Sequence, residues 1–456
     1  ITGDESMKIL LKNAMVITMN EKREVYKKGN VLIEDDKIIN IGHFPIPEDC
    51  DEIMDCEGKT IMPSFVNTHT HTSQQLARGL ADDVPLLTWL HDRIWPYESN
   101  MTEEDSYIST LLFCAEQIKA GCTSIAEPGG QFVSGMAKAI SQAGIRGKLA
   151  KSVMDCGEGL PKSWQHTTDE ELAIQEEDLK KFHNTADGRV KVWFGIRTIF
   201  NATDELLLRT KELADKYGVG VHMHIAEAKA EVDYAKETRG ATTVTHLNNL
   251  GFLDKNIIAA HAVWLSNEEV EMFRDHDVKV SHNPASAMRV LGFAKIPRML
   301  REGVCVALGT DGTPTNNRMN MVDEMWVTSL IHKGWRLEPD VVKAEEILAM
   351  ATINGARAVG EEDLYGSLEP GKKADLIIIN PNNSPDMLPV HDPIANLVTS
   401  MHSTNIECTM CNGRWLMKNR VLLSIDEEAI LREGREHAEA ICKRGGIRLP
   451  DRFPML

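Results

Sequence analysis

Eight apolar runs in series, each followed by a helix-like stretch, constrain this chain more than any other feature. They read KTIMPSFV, CTSIAEPG, KLAKSVMD, VKVWFGIRT, VGVHMHIAE, NIIAAHAVW, VKVSHNP and VCVALGTDG. Continuous rather than alternating apolarity is the pattern of parallel strands buried on both faces. The intervening segments, such as ATDELLLRTKELADKY and SNEEVEMFRDH, have amphipathic helical spacing. Eight βα units in series predict an α/β protein built on a (β/α)8 TIM barrel.

A length of 456 residues suits such a barrel with an appendage. Residues 7–60 read as short strands with turns at Asn20–Glu21 and Asp35–Asp36. KKADLIIIN and IECTMCNGRWLMKNRVLL, near the other end, read the same way. A small β-sandwich domain assembled from both chain ends follows, as residues 7–60 and 366–425. The catalytic barrel would occupy 61–365, and a charged amphipathic helix and tail 426–456. The leading residues ITGDES, before Met7, read as a short tail and are set aside from the fold.

Composition excludes several functions. A net charge of −18 argues against a nucleic-acid partner, which would call for a basic patch. No stretch approaches the eighteen or so continuous apolar residues of a membrane helix, and no secretory signal pattern is present. The nine cysteines are scattered, as expected of free thiols in a reducing cytoplasm. The one CxxC, Cys408 and Cys411, has no second pair to complete a zinc site and reads as a strand with thiols on opposite faces.

In a TIM barrel the chemistry sits at the C-terminal ends of the strands. The first run ends at His69 and His71, the fifth at His222, His224 and Glu227, the sixth at His261, the seventh at His282 and the eighth at Asp311. One such residue would mean little; five strands converging on one rim predict a metal. Residues i and i+2 share a strand face, so His69 and His71 can grip one ion. Imidazole with carboxylate suits zinc or iron better than magnesium or calcium. Glu227, just beyond a strand-end histidine, is placed to shuttle a proton. His222, in register with His224, reads as a packed core residue one layer lower.

These motifs together resemble the amidohydrolase superfamily, in its one-metal branch. PSFVNTHTH, HIAE, AAHAVWL, SHNPAS and LGTDG with TNN are similar to that family's strand-end motifs, and NGARAVG and GSLEPGKKADLIII to its return to the β domain. The nearest flavour is the branch of methylthioadenosine and adenosylhomocysteine deaminases, chlorohydrolases and s-triazine hydrolases. The resemblance implies that His69, His71 and His224 hold one divalent ion, zinc or else iron, with Asp311 as fourth ligand or proton acceptor. It implies Glu227 as general acid/base and His261 as the group that orients hydroxide. No lysine stands at the end of the fourth run to bridge a second metal. The implied reaction is hydrolytic deamination of an aminated N-heterocycle, purine nucleoside-like or related, hydroxide formed at the metal attacking the ring carbon and ammonia leaving. Removal of chloride or an alkylamine from an s-triazine is the alternative. A small-molecule partner and a homo-oligomer, dimer or larger, are likewise implied.

The substrate side carries departures. LARGLADD with Trp89 and Glu98 resembles a nucleoside lid and pocket, Trp89 flanking the substrate and Glu98 accepting from ribose hydroxyls. After the fourth run, however, GIRTIFNA replaces a GPHSPY-like turn, so Arg197 stands where a pocket histidine is expected. Ala287 replaces an asparagine, and Lys295 a proline, after the seventh run. Arg197 therefore predicts a substrate with an acceptor-rich or anionic edge, and His282 a substrate contact or a supporting residue.

Overall fold

A computed structural model describes residues 6–85 and 88–455. Residues 1–5 of the leading segment lie outside the described residues. Eight parallel strands succeed one another in chain order. They are β1 (Phe65–Asn67), β2 (Cys122–Glu127), β3 (Arg146–Leu149 and Ser152–Val153), β4 (Val190–Val192 and Phe194–Ile196), β5 (Val221–Ile225), β6 (Ile257–His261), β7 (Lys279–His282) and β8 (Val306–Leu308). The first segments of β3 and β4 join β1 and β2 in a four-stranded sheet. Their second segments continue through β5 to β8 as a six-stranded sheet. Beyond β8 and β1, the Thr68 amide donates to the Leu308 carbonyl (3.0 Å) and the Asp311 amide to the His69 carbonyl (2.9 Å).

The helices start where the sequence offers caps. Thr102, Thr167 and Ser266 each close a capping box with Asp105, Glu170 and Glu269, ahead of Glu103–Lys119, Thr168–Phe182 and Asn267–Asp275. None of the described helices is long and apolar enough to cross a membrane.

Strands from both chain ends form one mixed, nine-stranded sheet. Lys8–Ile17 is its centre, with Val25–Glu34, Lys37–Gly42, Glu52–Asp55 and Thr60–Pro63 from one end and Leu376–Ile379, Ile406–Cys411, Arg414–Lys418 and Val421–Leu422 from the other. The run KTIMPSFV, expected as one barrel strand, divides between the two parts of the fold. Thr60–Pro63 pairs with Leu376–Ile379, whereas Phe65–Asn67 pairs with β2. The switch takes one residue: the Ser64 amide donates to the Asp375 carbonyl, and the Phe65 amide to the Gly121 carbonyl. Cys408 and Cys411 lie on opposite faces of their strand, buried in two different clusters. The helix Glu427–Arg444 packs on Glu103–Lys119, with His437 Nδ1 2.7 Å from Asp105 Oδ1.

A buried ion cluster ties β3 and β4 to the chain after the last barrel helix. Glu361 lies between Lys148 Nζ (2.7 Å) and Lys191 Nζ (2.5 Å), and accepts from the Tyr365 hydroxyl (2.7 Å). Burial works against ionisation of Glu361, but the two ammonium groups and the hydroxyl overcome it and bring its carboxyl down to about 2. Lys148, cut off from water and facing Lys191 as well as Glu361, is pushed down to about 8. Removing the central charge leaves two ammoniums facing each other, a loss of about 3 kcal/mol. Glu361→Gln should therefore lower the melting temperature. Because the folded carboxyl sits below its ordinary 4.5, its contribution is complete above that pH and fades as pH falls from 4.5 toward 2. Thermal unfolding of both proteins across that range should show the gap narrowing; a gap constant with pH would contradict the assignment.

Candidate metal centre

The ends of β1, β5, β6 and β8 bring His69, His71, His224, His261 and Asp311 together, each at most 5% exposed. His69, His224 and His261 offer ring nitrogens within 4.8 Å of one another, and so do His69, His71 and Asp311 with its carboxylate. The chain turns sharply at two of these strand ends: His261 (φ 73°) and Asp311 (φ 59°) both have left-handed backbone.

The protons of the ring nitrogens are placed by outer partners. His224 Nδ1 donates to the Arg197 carbonyl at 2.8 Å, so its Nε2 is a bare lone pair. His69 Nδ1 lies 3.0 Å from His222 Nε2, and His69 Nε2 has no hydrogen-bond partner. His71 Nδ1 lies 3.6 Å from the Glu127 carboxylate, while its Nε2 is 3.3 Å from His224 Nε2. Asp311 Oδ1 stands 3.4 Å from His69 Nε2 and 3.5 Å from His71 Nε2. Its Oδ2 is engaged by the hydroxyls of Ser286 (2.6 Å) and Thr315 (3.1 Å).

Bare nitrogens and a carboxylate oxygen so close together, out of water, repel one another unless a cation lies among them. Protonation agrees. Burial pushes His69 down to about 3 against the pull of Asp311, and holds His224 well below the usual imidazole range. Asp311 is held well below the usual carboxylate range: its burial is outweighed by His69, His261 and His71. Neutral imidazoles with an ionised carboxylate are the states that a divalent transition metal requires of its ligands. His261 differs from the rest. Asn283 Nδ2 donates to its Nδ1 at 3.2 Å, which leaves the ring proton on Nε2. That proton faces Glu227 Oε1 at 3.7 Å and Asp311 Oδ2 at 3.9 Å, making His261 a donor into the site.

On the substrate side, Glu98 is buried in the short helix Trp95–Ser99. Gln74 donates to its Oε1 at 2.6 Å, and its Oε2 has no partner. Trp89 is half-buried, its Nε1 donating to the Pro314 carbonyl at 3.4 Å. Arg197 is half-buried just past β4, its carbonyl against His224 Nδ1. Lys295 is engaged elsewhere, with the Asn267 side chain at 2.8 Å.

Residues 60–416 match the amidohydrolase family. This chain belongs to that family. It is 39% identical over 435 residues to a 5′-deoxyadenosine deaminase of Methanobrevibacter smithii, covering 95% of this chain and 98% of that protein. It is 37% identical to a 5-methylthioadenosine/S-adenosylhomocysteine deaminase of Syntrophomonas wolfei, covering 95% and 99%. Among solved structures, an adenosine deaminase from Xanthomonas campestris with bound zinc superimposes with a TM-score of 0.89 at 26% identity, covering 96% of this chain and 99% of that one.

One residue expected at the site of this amidohydrolase is turned away from it. Ser281 and Asn283 face the cluster, so His282 between them points to the helix Met321–Arg336, its Nε2 3.0 Å from His332 Nε2. A strand alternates its faces, and the reading of SHNP chose the wrong parity. The residue missed there is Asn283. Glu127 was missed too. It ends β2 as Asp311 follows β8, and it accepts from the Gly129 amide at 3.0 Å and from the Thr72 amide beside His71. A strand run ending in a carboxylate was the available signal. His222, read as packed core, lies below the cluster against His69. Partners of this kind orient metal-binding imidazoles and typically hold 10–100-fold in affinity. His222→Ala should weaken zinc binding by about that factor with little change in circular dichroism. Equilibrium dialysis measures it, and unaltered affinity would remove His222 from that role.

Proposed function

We propose that this amidohydrolase deaminates an aminated N-heterocycle of the adenosine type, hydrolysing a non-peptide C–N bond. One observation carries the reading: the Nε2 atoms of His69, His71 and His224 gather at Asp311, beside a second pair, Glu227 and His261, 3.7 Å apart. The deaminases at 37% and 39% identity along nearly the full chain support it. In this reading His69, His71, His224 and Asp311 hold one divalent ion, taken as zinc; iron(II) suits the same donors. When bound, such an ion supplies Lewis acidity and a water acidified to near neutral pH.

The chain's own residues do the rest. Glu227 carries one proton of the attacking water to the ring nitrogen. His261 points its Nε2–H at the oxygen as a hydrogen-bond donor and orients it toward the ring carbon that bears the amine. Asp311 takes the oxygen's remaining proton, which passes through Glu227 to the departing amine. Water is consumed, the C–N bond breaks, a carbonyl forms at the ring carbon and ammonia leaves. Trp89 flanks the ring, the free Oε2 of Glu98 accepts from sugar hydroxyls, and Arg197 contacts the substrate. His282 has no part in it.

The accompanying architecture in this reading is a (β/α)8 barrel over residues 61–365 less the strand Thr60–Pro63, which belongs to the other sheet; the hydrogen bonds of Thr68 and Asp311 to the opposing strand ends support its closure. Residues 7–60 and 366–425 form a sandwich around one shared apolar cluster, and 426–456 the terminal helix and tail. Nine free cysteines support a cytoplasmic setting. Exposed Trp326 and Leu330 on the helix Met321–Arg336, with Leu337 at its C-cap, support a homo-oligomer.

Two variants test the roles together. Glu227→Gln should keep its metal but lose turnover by about 10²–10⁴-fold. His69→Ala should lose the metal itself. Elemental analysis and ammonia release read both; a metal-free Glu227→Gln protein would sink the assignment.

A further inference from the structure

We infer that Arg197 is the specificity residue of this site, and that it selects substrates carrying two coplanar acceptors. These would be a carboxylate, or a ring carbonyl beside an unprotonated ring nitrogen. The inference rests on the deaminase reading and deepens it. Three observations carry it.

The first is placement. Arg197 follows β4 directly, its amide donating to the Val153 carbonyl (3.3 Å) and its carbonyl accepting from the His224 amide (3.3 Å) and from His224 Nδ1 (2.8 Å). Its backbone is thus knitted to β3 and β5, and cannot shift without moving a histidine of the cluster. The second is isolation. Every other arginine that is buried or half-buried donates to a carboxylate or a carbonyl. The Arg197 guanidinium, among the described residues, has no hydrogen bond or ion pair, although Glu227 and Glu127 lie around the same cluster. The third is level. Arg197 stands at the same strand-end rim as His71, His224 and Glu227.

A guanidinium held half-buried at the site's rim without a protein partner is free to pair with whatever enters. A guanidinium presents its N–H groups as a rigid planar fork, which two acceptors in one plane satisfy together. A neutral imidazole at the same position would present a single donor. Substrates with only isolated ring nitrogens leave half of the fork unmet, and a site built for hydrogen bonding penalises that heavily.

The test compares kcat/KM for ammonia release from three 6-aminopurine nucleosides. 5′-Deoxyadenosine has no such acceptor pair, isoguanosine has a ring carbonyl beside a ring nitrogen, and S-adenosylhomocysteine has a carboxylate. Wild type should favour one of the latter two, which also tells ring carbonyl from carboxylate. Arg197→Ala should collapse that preference by about 100-fold, mainly through KM, with metal content and melting temperature unchanged. Arg197→Lys should restore less than a tenth of it, since charge returns without the fork. Guanidinium added at millimolar concentration should partly rescue Arg197→Ala. A wild type that favours 5′-deoxyadenosine, or an Arg197→Ala protein with the wild-type preference, overturns the inference and leaves the deaminase reading standing. No ammonia from any of the three overturns both.

Discussion

The hydrogen bond from the Asp311 amide to the His69 carbonyl is the contact on which the site depends. It joins residues from the two ends of the eight-strand series, and so sets a carboxylate against the first histidine pair. The Asp311 side chain then needs only a short reach: Oδ2 is fastened by Ser286 and Thr315, and Oδ1, which accepts from the Gly312 amide, faces His69 and His71. Everything else about the centre presupposes this contact. Without it the imidazoles of β1 and β5 would be two separate pairs of polar side chains at strand ends.

Bringing these groups together has a local cost. Asp311, His261, Ala262 and Ala226 all adopt left-handed backbone, which side chains other than glycine populate reluctantly. All four lie where a strand gives way to its loop at the cluster. Residues held in such conformations persist only where the surroundings over-determine them. Here the surroundings are the strand hydrogen bonds themselves: the Ala262 amide donates to the Ile225 carbonyl, and the Val263 and Trp264 amides to the Ala226 carbonyl. The strained turns aim His261 and Asp311 inward, and the ladder between strands keeps them there.

Much of this was legible beforehand. Eight apolar runs announced eight parallel strands, and strand-end position with i, i+2 spacing singled out His69, His71, His224, His261 and Asp311. The misreadings share a physical cause. A strand buried on both faces carries no polar alternation, so nothing in SHNP says whether His282 or Asn283 faces inward. KTIMPSFV looked like one strand because both halves are buried, each in a different sheet. Glu127 escaped notice because its link to the cluster is made across the fold, by accepting from the Thr72 amide beside His71, which shows no spacing in the sequence.

The amino-acid sequence by itself determined which strands could end in metal-binding groups and which chemistry those groups could support. Residue type and local period suffice for that. Only the tertiary structure decided which nitrogens are bare, which way the His261 proton points, and that Arg197 has no partner among the described residues. Those facts depend on distances of a few ångströms between atoms whose residues are scattered along the chain. Such distances follow from how strands stagger and how turns aim side chains. No local pattern encodes them, because each is set by many contacts made at once.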